Sequence, residues 1–460
     1  MFVSESGSPY EALFRAALSI PLSHYLVGLS LILAVFLYNF FEMHFLEDFL
    51  TGFRGQPVIL TFNPASQLYH DVVSQCRIFH RRYLSTPWLC SPHLQTIFVQ
   101  FFGNPPVVNY RRQIFQTSDG GTIALDWVKS DEVKKPPSQL NDEFIQDDKN
   151  PILIIIPGLT SDSHSSYIKH LAHKMDKHGW NVLVINHRGL GGVSITSDCF
   201  FNAGWTEDVR EVIEYLNCQY SSASLFAVGT SIGANILVKY LAEDGINTPV
   251  AGATALCSPW DLMLWERYMN RRYAQRIYGK ALANRLKKYA HLHEATLLHL
   301  INWEEFKKQQ IKILHAVSTS PKYKGHSFRE LIDRSTRILS NYETVDTYYR
   351  QCCNSGFIKG VMVPLLCISS LDDPLCAMEA IPWDECRLND NVILATTKHG
   401  GHVAFFQGLT ARSVWWTIAV EEFFLALQSS FLSQRKNKVK IKHFRSSTEI
   451  FNGFNTYIKA

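Results

Sequence analysis

The residues of this chain whose types and spacing could do chemistry are a serine set between glycines, a pair of adjacent aspartates, and two histidines that bracket a double glycine. The serine lies in Gly229-Thr230-Ser231-Ile232-Gly233, between an apolar strand-like run (SLFAVG) and a run of helical period (ANILVKYLAE). G-x-S-x-G in that context has the form of a nucleophile elbow. Its glycines let neighbouring backbone pack around a sharp turn that holds the hydroxyl clear. A serine needs a base to take its proton, and the base needs a carboxylate to fix its tautomer. In chains built on such an elbow the order is serine, acid, histidine. The first fitting carboxylate ends the run PLLCISSLDDPL. Asp373 is assigned as the acid because it stands at the strand's end directly before Pro374, with Asp372 as its competitor. The base is assigned to His402, which follows Gly400-Gly401 and precedes an apolar run; His399 reads as a loop histidine and is the alternative. Two backbone N–H groups would hold the developing oxyanion, that of Ile232 after the nucleophile and that of Leu159 in Pro157-Gly158-Leu159. The set points to acyl transfer through a serine ester.

Other chemistries lack their residues. The chain has no Gly-rich loop ending in Gly-Lys, no H-E-x-x-H, no G-x-G-x-x-G between strand and helix, and no C-x-x-C. Neither a cofactor nor a metal is expected. Ten cysteines in 460 residues are not a disulfide framework, and the thiols are expected to be reduced. A net charge of +4 over this length is too small to imply a nucleic-acid partner.

The elements that must position these residues alternate along the chain. Arg111 to Val128 reads as a hairpin turning at Asp119-Gly120-Gly121. Pro151 to Ile156 (PILIII) is a continuous apolar run of the kind buried on both faces of a parallel sheet. Strands follow at Asn181 to Asn186, Ser224 to Gly229, Gly252 to Ser258, Pro364 to Ser369 and Asn391 to Thr397, with helices at Thr206 to Leu216 and Ile232 to Glu243. That order predicts a mostly parallel sheet wrapped by helices. Between Ser258 and about Val345 the strand pattern disappears. A helical insertion there carries Tyr278, Leu282, Leu286 and Tyr289 on one face and Arg272, Arg276 and Lys280 on another.

Ile20 to Phe41 contains no charged residue and at about 1.5 Å per residue would span roughly 33 Å, enough to cross a bilayer. The alternative is a buried N-terminal helix. Arg15 and Arg54 on either side leave the orientation undetermined. Arg435 to Arg445 is a basic tail, a solvated charge run or a contact for anionic lipid. The expected organisation is an N-terminal segment (1–19), a transmembrane anchor (20–41), a linker and N-terminal extension (42–110), an α/β core in two parts (111–257 and 346–430), a helical cap (258–345) and a basic tail (431–460).

Several of these runs resemble the membrane-anchored α/β-hydrolase-domain lipases, AB hydrolase family four. The likeness covers about Pro87 to Gln428. It rests on PWLCSPHLQTIF, PGLTSDSHSSYI, NHRGLGG (Asn186 to Gly192), AGWTEDVREVI, GTSIGANIL, SFRELID, YETVDTYY, VPLLCISSLDDP and GGHVAF. His93-Leu94-Gln95-Thr96 and NHRGLGG are the most telling. The resemblance implies an α/β-hydrolase fold and a single-pass anchor in the endoplasmic reticulum or another internal membrane. It also implies a triad of Ser231, Asp373 and His402 acting on lipid esters such as phosphatidylcholine or acylglycerols. Thr230 departs from the apolar residue usual in the family, the basic tail is not a general family feature, and no H-x-x-x-x-D acyltransferase box is present. The alternatives are a carboxylesterase or monoacylglycerol lipase and a non-catalytic lipid-binding protein on the same fold.

Overall fold

The continuous β-branched runs do what their composition dictates. The computed structural model describes residues 8–129, 149–297, 327–334 and 336–431. Most of the polar loop after Ser130, part of the helical insertion and the basic tail lie outside the described residues. Nine strands form the main sheet: β1 Ile59–Phe62, β2 Tyr110–Gln116, β3 Thr122–Val128, β4 Ile152–Ile156, β5 Asn181–Asn186, β6 Leu225–Thr230, β7 Val250–Leu256, β8 Leu365–Ser370 and β9 Val392–Thr397. Their order is β1-β9-β8-β7-β6-β4-β5-β3-β2. The six strands from β9 to β5 pair parallel, while β1, β3 and β2 pair antiparallel at the two edges.

Every residue of β4, β5, β6, β8 and β9 is buried, whereas edge strand β2 alternates between half-buried and exposed positions. Leu153 and Ile155 face one apolar layer, with Trp416, Phe423 and Phe424 of a final helix over 415–431; Ile152, Ile154 and Ile156 face the other. All ten cysteines are free thiols.

The helices used below are α1 Pro9–Ser19, α2 Leu22–Phe40, α3 Phe45–Leu50, α4 Pro92–Phe101, α5 Ser166–Asp176, α6 Glu207–Gln219, α7 Ile232–Asp244, α8 Leu262–Arg271, α9 Tyr273–Leu292, α10 Ser327–Arg334 and α11 Val345–Cys352. Helices α8 to α11 fall between β7 and β8, where the strand pattern lapses in the sequence. Arg329 of α10 holds them together through Glu266 of α8 at 2.6 Å and Asp346 of α11 at 2.8 Å. α2 is long and apolar enough to cross a membrane, with a mean hydropathy of 1.6 and none of that window buried.

The stretch from 42 to 110, expected as a linker and N-terminal extension, contributes to the fold itself. Its β1 pairs antiparallel with β9, from Ile59 opposite Thr396 to Phe62 opposite Ile393, and closes the sheet's edge. Leu68, Val72, Val73 and Phe79 bury themselves in the same core. A strand of four residues between prolines, whose partner lies at the far end of the chain, leaves no local signature.

Candidate active site

Ser231 sits where β6 turns into α7, as the N-cap residue of the helix, with φ 54° and ψ −120°. That positive φ is costly for a residue with a Cβ, and close packing enforces it. A Cβ on Gly229 would stand 2.6 Å from Ala234 Cα, and one on Gly233 would stand 2.8 Å from the Ile156 carbonyl carbon. Only glycine fits at either place, so the serine is pushed up between two touching backbones.

His402 arrives from the loop after β9. Its Nε2 lies 3.0 Å from Ser231 Oγ, and its Nδ1 lies 2.8 Å from Asp373 Oδ2. The other Asp373 oxygen accepts the N–H groups of Leu375 at 2.8 Å and Cys376 at 2.9 Å. Those two bonds fix the carboxylate with one oxygen aimed at the imidazole, and Asp373 is 2% exposed. Asp372 faces elsewhere: it accepts the Gly401 N–H at 3.0 Å, the Ser370 hydroxyl, and a contact from His399 Nδ1 at 3.2 Å. The structure brings together Ser231, His402 and Asp373, and puts Asp372 and His399 in the scaffold beneath the histidine loop.

Leu159 and Ile232 line one cavity with Ser231 and His402. Ile232 opens α7, where an N–H has no acceptor within its own helix. The Gly158 N–H is taken by the Tyr167 hydroxyl at 3.1 Å, which sets the loop's course past the serine. The cavity is walled by Phe200 and by Trp265, Leu286, Leu331, Ile332 and other apolar side chains of the inserted helices. A site so lined suits an acyl chain beside a hydroxyl nucleophile.

The roles of Gln95 and Thr96 in α4 were not legible in the sequence. Thr96 Oγ1 accepts the His402 N–H at 3.0 Å and donates to Pro92 O at 2.7 Å. Gln95 Oε1 accepts the Phe406 N–H at 3.1 Å. Between them the two side chains hold the middle of this loop, at His402, and its far end, at Phe406. Gly401 has φ +62°, and a Cβ there would come within 2.8 Å of Pro92 O and Thr96 Oγ1. The HLQT run was visible as a motif, but a threonine inside a helix reads locally as ordinary back-bonding to the carbonyl four residues earlier.

The NHRGLGG turn is a second brace. Arg188 is buried, and its guanidinium bonds Asp208 at 2.6 to 3.0 Å and also reaches Asp119. Its carbonyl accepts the Tyr289 hydroxyl of α9 at 2.8 Å, tying the inserted helices to the sheet. Burial holds the nearby His187 imidazole below its ordinary pKa, and the Cys257 and Cys376 thiols behind the histidine are pushed well up by the same desolvation.

Among the described residues, two groups have donors close enough to hold a metal ion: His44, Asp372 and His399, and Cys257, Asp373 and His402. In the first, the two imidazoles are stacked 3.8 Å apart at 14°. Nearly parallel ring planes share no nearby point at which both lone pairs could aim at one ion. In the second, the contact between Nδ1 and Asp373 already occupies the histidine's inner nitrogen.

A family model described as alpha/beta hydrolase fold matches residues 151–409. The chain is 32% identical over 363 residues to the embryogenesis-associated protein EMB8 of Picea glauca, covering 78% of this chain and 76% of that one. It is similar to phospholipase ABHD3 of Bos taurus, at 28% identity over 86% of this chain and 91% of the relative. The monoacylglycerol lipase of Saccharomyces cerevisiae is 27% identical, over 70% of this chain and 76% of the relative.

Proposed function

The chain belongs to the alpha/beta hydrolase fold family, and from that premise we propose that it is a membrane-anchored serine hydrolase cleaving carboxylic esters of lipids through Ser231, Asp373 and His402. The observation that carries the reading is the hydrogen-bonded line from Ser231 Oγ through His402 to Asp373, opening on an apolar cavity. Two relatives, named a phospholipase and a monoacylglycerol lipase, support lipid esters as the substrate class. Helix α2 supports a single-pass anchor.

His402 Nε2 takes the Ser231 proton as Oγ attacks the ester carbonyl. The negative charge that moves to the carbonyl oxygen is met by the Leu159 and Ile232 amides. Collapse of this intermediate breaks the ester C–O bond, and His402 returns the proton to the departing alcohol or lysolipid. Water, deprotonated by the same nitrogen, then attacks the acyl-enzyme, and the fatty acid leaves as Ser231 regains its proton. Asp373 keeps the Nδ1 proton in place and stabilises the imidazolium between these steps.

Full-length protein in detergent should be labelled by an active-site fluorophosphonate, and Ser231→Ala should abolish labelling; labelling that survives would move the nucleophile elsewhere. The lipid part of the proposal predicts hydrolysis of phosphatidylcholine or an acylglycerol in mixed micelles. Turnover of short soluble esters with neither lipid touched would reduce the protein to a carboxylesterase.

A further inference from the structure

The anchor helix leaves almost no slack before the catalytic domain: α2 ends at Phe40 and α3 starts at Phe45. The four residues between are stitched down. Ser91 donates its hydroxyl to Phe41 O, Glu42 pairs with Arg272 at the head of α9, and the His44 N–H donates to Cys90 O at 2.8 Å. Three elements therefore meet at the helix exit, namely α3, the 87–101 segment with α4, and the start of α9.

Each turns large apolar side chains outward. Phe49 and Leu50 of α3, Trp88, Phe101 and Phe102 around α4, and Tyr273 of α9 are all exposed, Leu50 by 82% and Phe101 by 73%. They belong to connected clusters. Phe49 packs edge-on to Phe53, Trp88 to Phe98, and Phe98 stacks on Phe102, while Tyr273 meets Phe40 at the end of the anchor helix, with 6.4 Å between ring centroids. We infer that these residues form a collar that seats the domain in the bilayer interface, so that the anchor's own leaflet supplies the substrate. This rests on the proposed anchor and deepens it. Continuity selects the occupant, because the exposed rings begin at the very residues where the apolar helix ends. Their aromatic character is that of the belt found where a protein crosses the edge of the hydrocarbon.

The collar also leads inward. Tyr273 opens α9, and Leu282, Leu286 and Tyr289 of the same helix line the cavity beside Ser231. From Tyr273 to Leu282 the helix rises about 14 Å, so one helix runs from the lipid surface to the cavity wall.

The test uses full-length protein in phosphatidylcholine nanodiscs whose acyl chains are brominated near the headgroup. The difference in tryptophan emission between wild type and Trp88→Phe isolates Trp88. Its emission should be strongly quenched by the brominated lipid, and Phe49→Glu with Leu50→Glu should relieve the quenching. The same double variant should cut hydrolysis of nanodisc lipid about tenfold, the effect of forcing charge into the interface. Its turnover of a short soluble ester should stay near the wild-type rate. Ile246→Glu, at an exposed apolar site beyond the far end of α7, should change neither reading. Unquenched Trp88 in wild-type protein that resists alkaline carbonate extraction would overturn the collar and leave the anchor standing. Extraction of the wild type by carbonate with Trp88 still quenched would overturn the anchor instead. A wild type that cleaves no lipid would sink the substrate reading, with the quenching still deciding the collar.

Discussion

Thr96→Val is the substitution that most directly tests how the histidine loop is held. It is nearly isosteric and removes one hydroxyl that accepts the His402 N–H at 3.0 Å and donates to Pro92 O at 2.7 Å. A backbone N–H stripped of its acceptor away from water costs about 1–3 kcal/mol. If that cost fell wholly on the aligned transition state it would lower kcat about 5- to 150-fold, since each 1.36 kcal/mol is worth about tenfold in rate. The share that falls on the folded state instead would appear as a lower Tm. KM for a short soluble ester should hardly move, because Thr96 does not line the cavity. Thr96→Ser keeps the oxygen and should recover most of the rate. Steady-state kinetics of the three proteins, with thermal melts alongside, separate the outcomes. A valine variant with unchanged kcat, or a serine variant as impaired as valine, would refute the assignment of Thr96 as the residue that positions the base.

Asp373→Asn should lower kcat about 10⁴-fold by leaving His402 in the wrong tautomer, whereas Asp372→Asn, which loosens only the loop beneath, should cost about tenfold or less; equal losses measured on one ester would break the distinction. Gly233→Ala should fail to fold, because its new methyl would stand 2.8 Å from the Ile156 carbonyl carbon, and soluble yield with circular dichroism would reveal it. Burial holds His187, His170 and His93 below the ordinary 6.5, so between that value and their depressed ones the unfolded chain binds more protons than the folded one. Stability is then full above about pH 6.5 and lost as the pH falls through it, and a melt series from pH 7.5 to 5.5 should show Tm dropping, less steeply in His187→Asn.

The parallel strands were legible because a strand buried on both faces must be apolar at every position, and runs such as PILIII and NVLVIN have no other economical use. Their observed ends differ from the reading by a residue or two: β6 runs to Thr230 and β7 begins at Val250. Helix α6 continues to Gln219, three residues past the expected end. What escaped notice depends on partners distant in sequence. Ile59–Phe62 is a strand only because β9 lies beside it. Thr96 and Gln95 matter only because the loop around His402 folds onto them. Asp373 was preferred to Asp372 for its place before Pro374, but what divides the two carboxylates physically is which one the 375 and 376 amides capture, and the sequence does not show that.

The pairing of β1 with β9 has a consequence for how the molecule is made. Thr396 reaches Ile59 across 337 positions, and His402 reaches Thr96 across 306. At about 5–20 residues per second, a ribosome needs roughly 20 to 70 seconds between producing one partner of the first pair and the other. Throughout that interval the early strand has nothing to zip against, and the nascent polypeptide must be shielded or kept near a surface that tolerates it. On the proposed triad, catalytic competence is therefore gained only once the residues around His402 have been made and have folded onto Thr96.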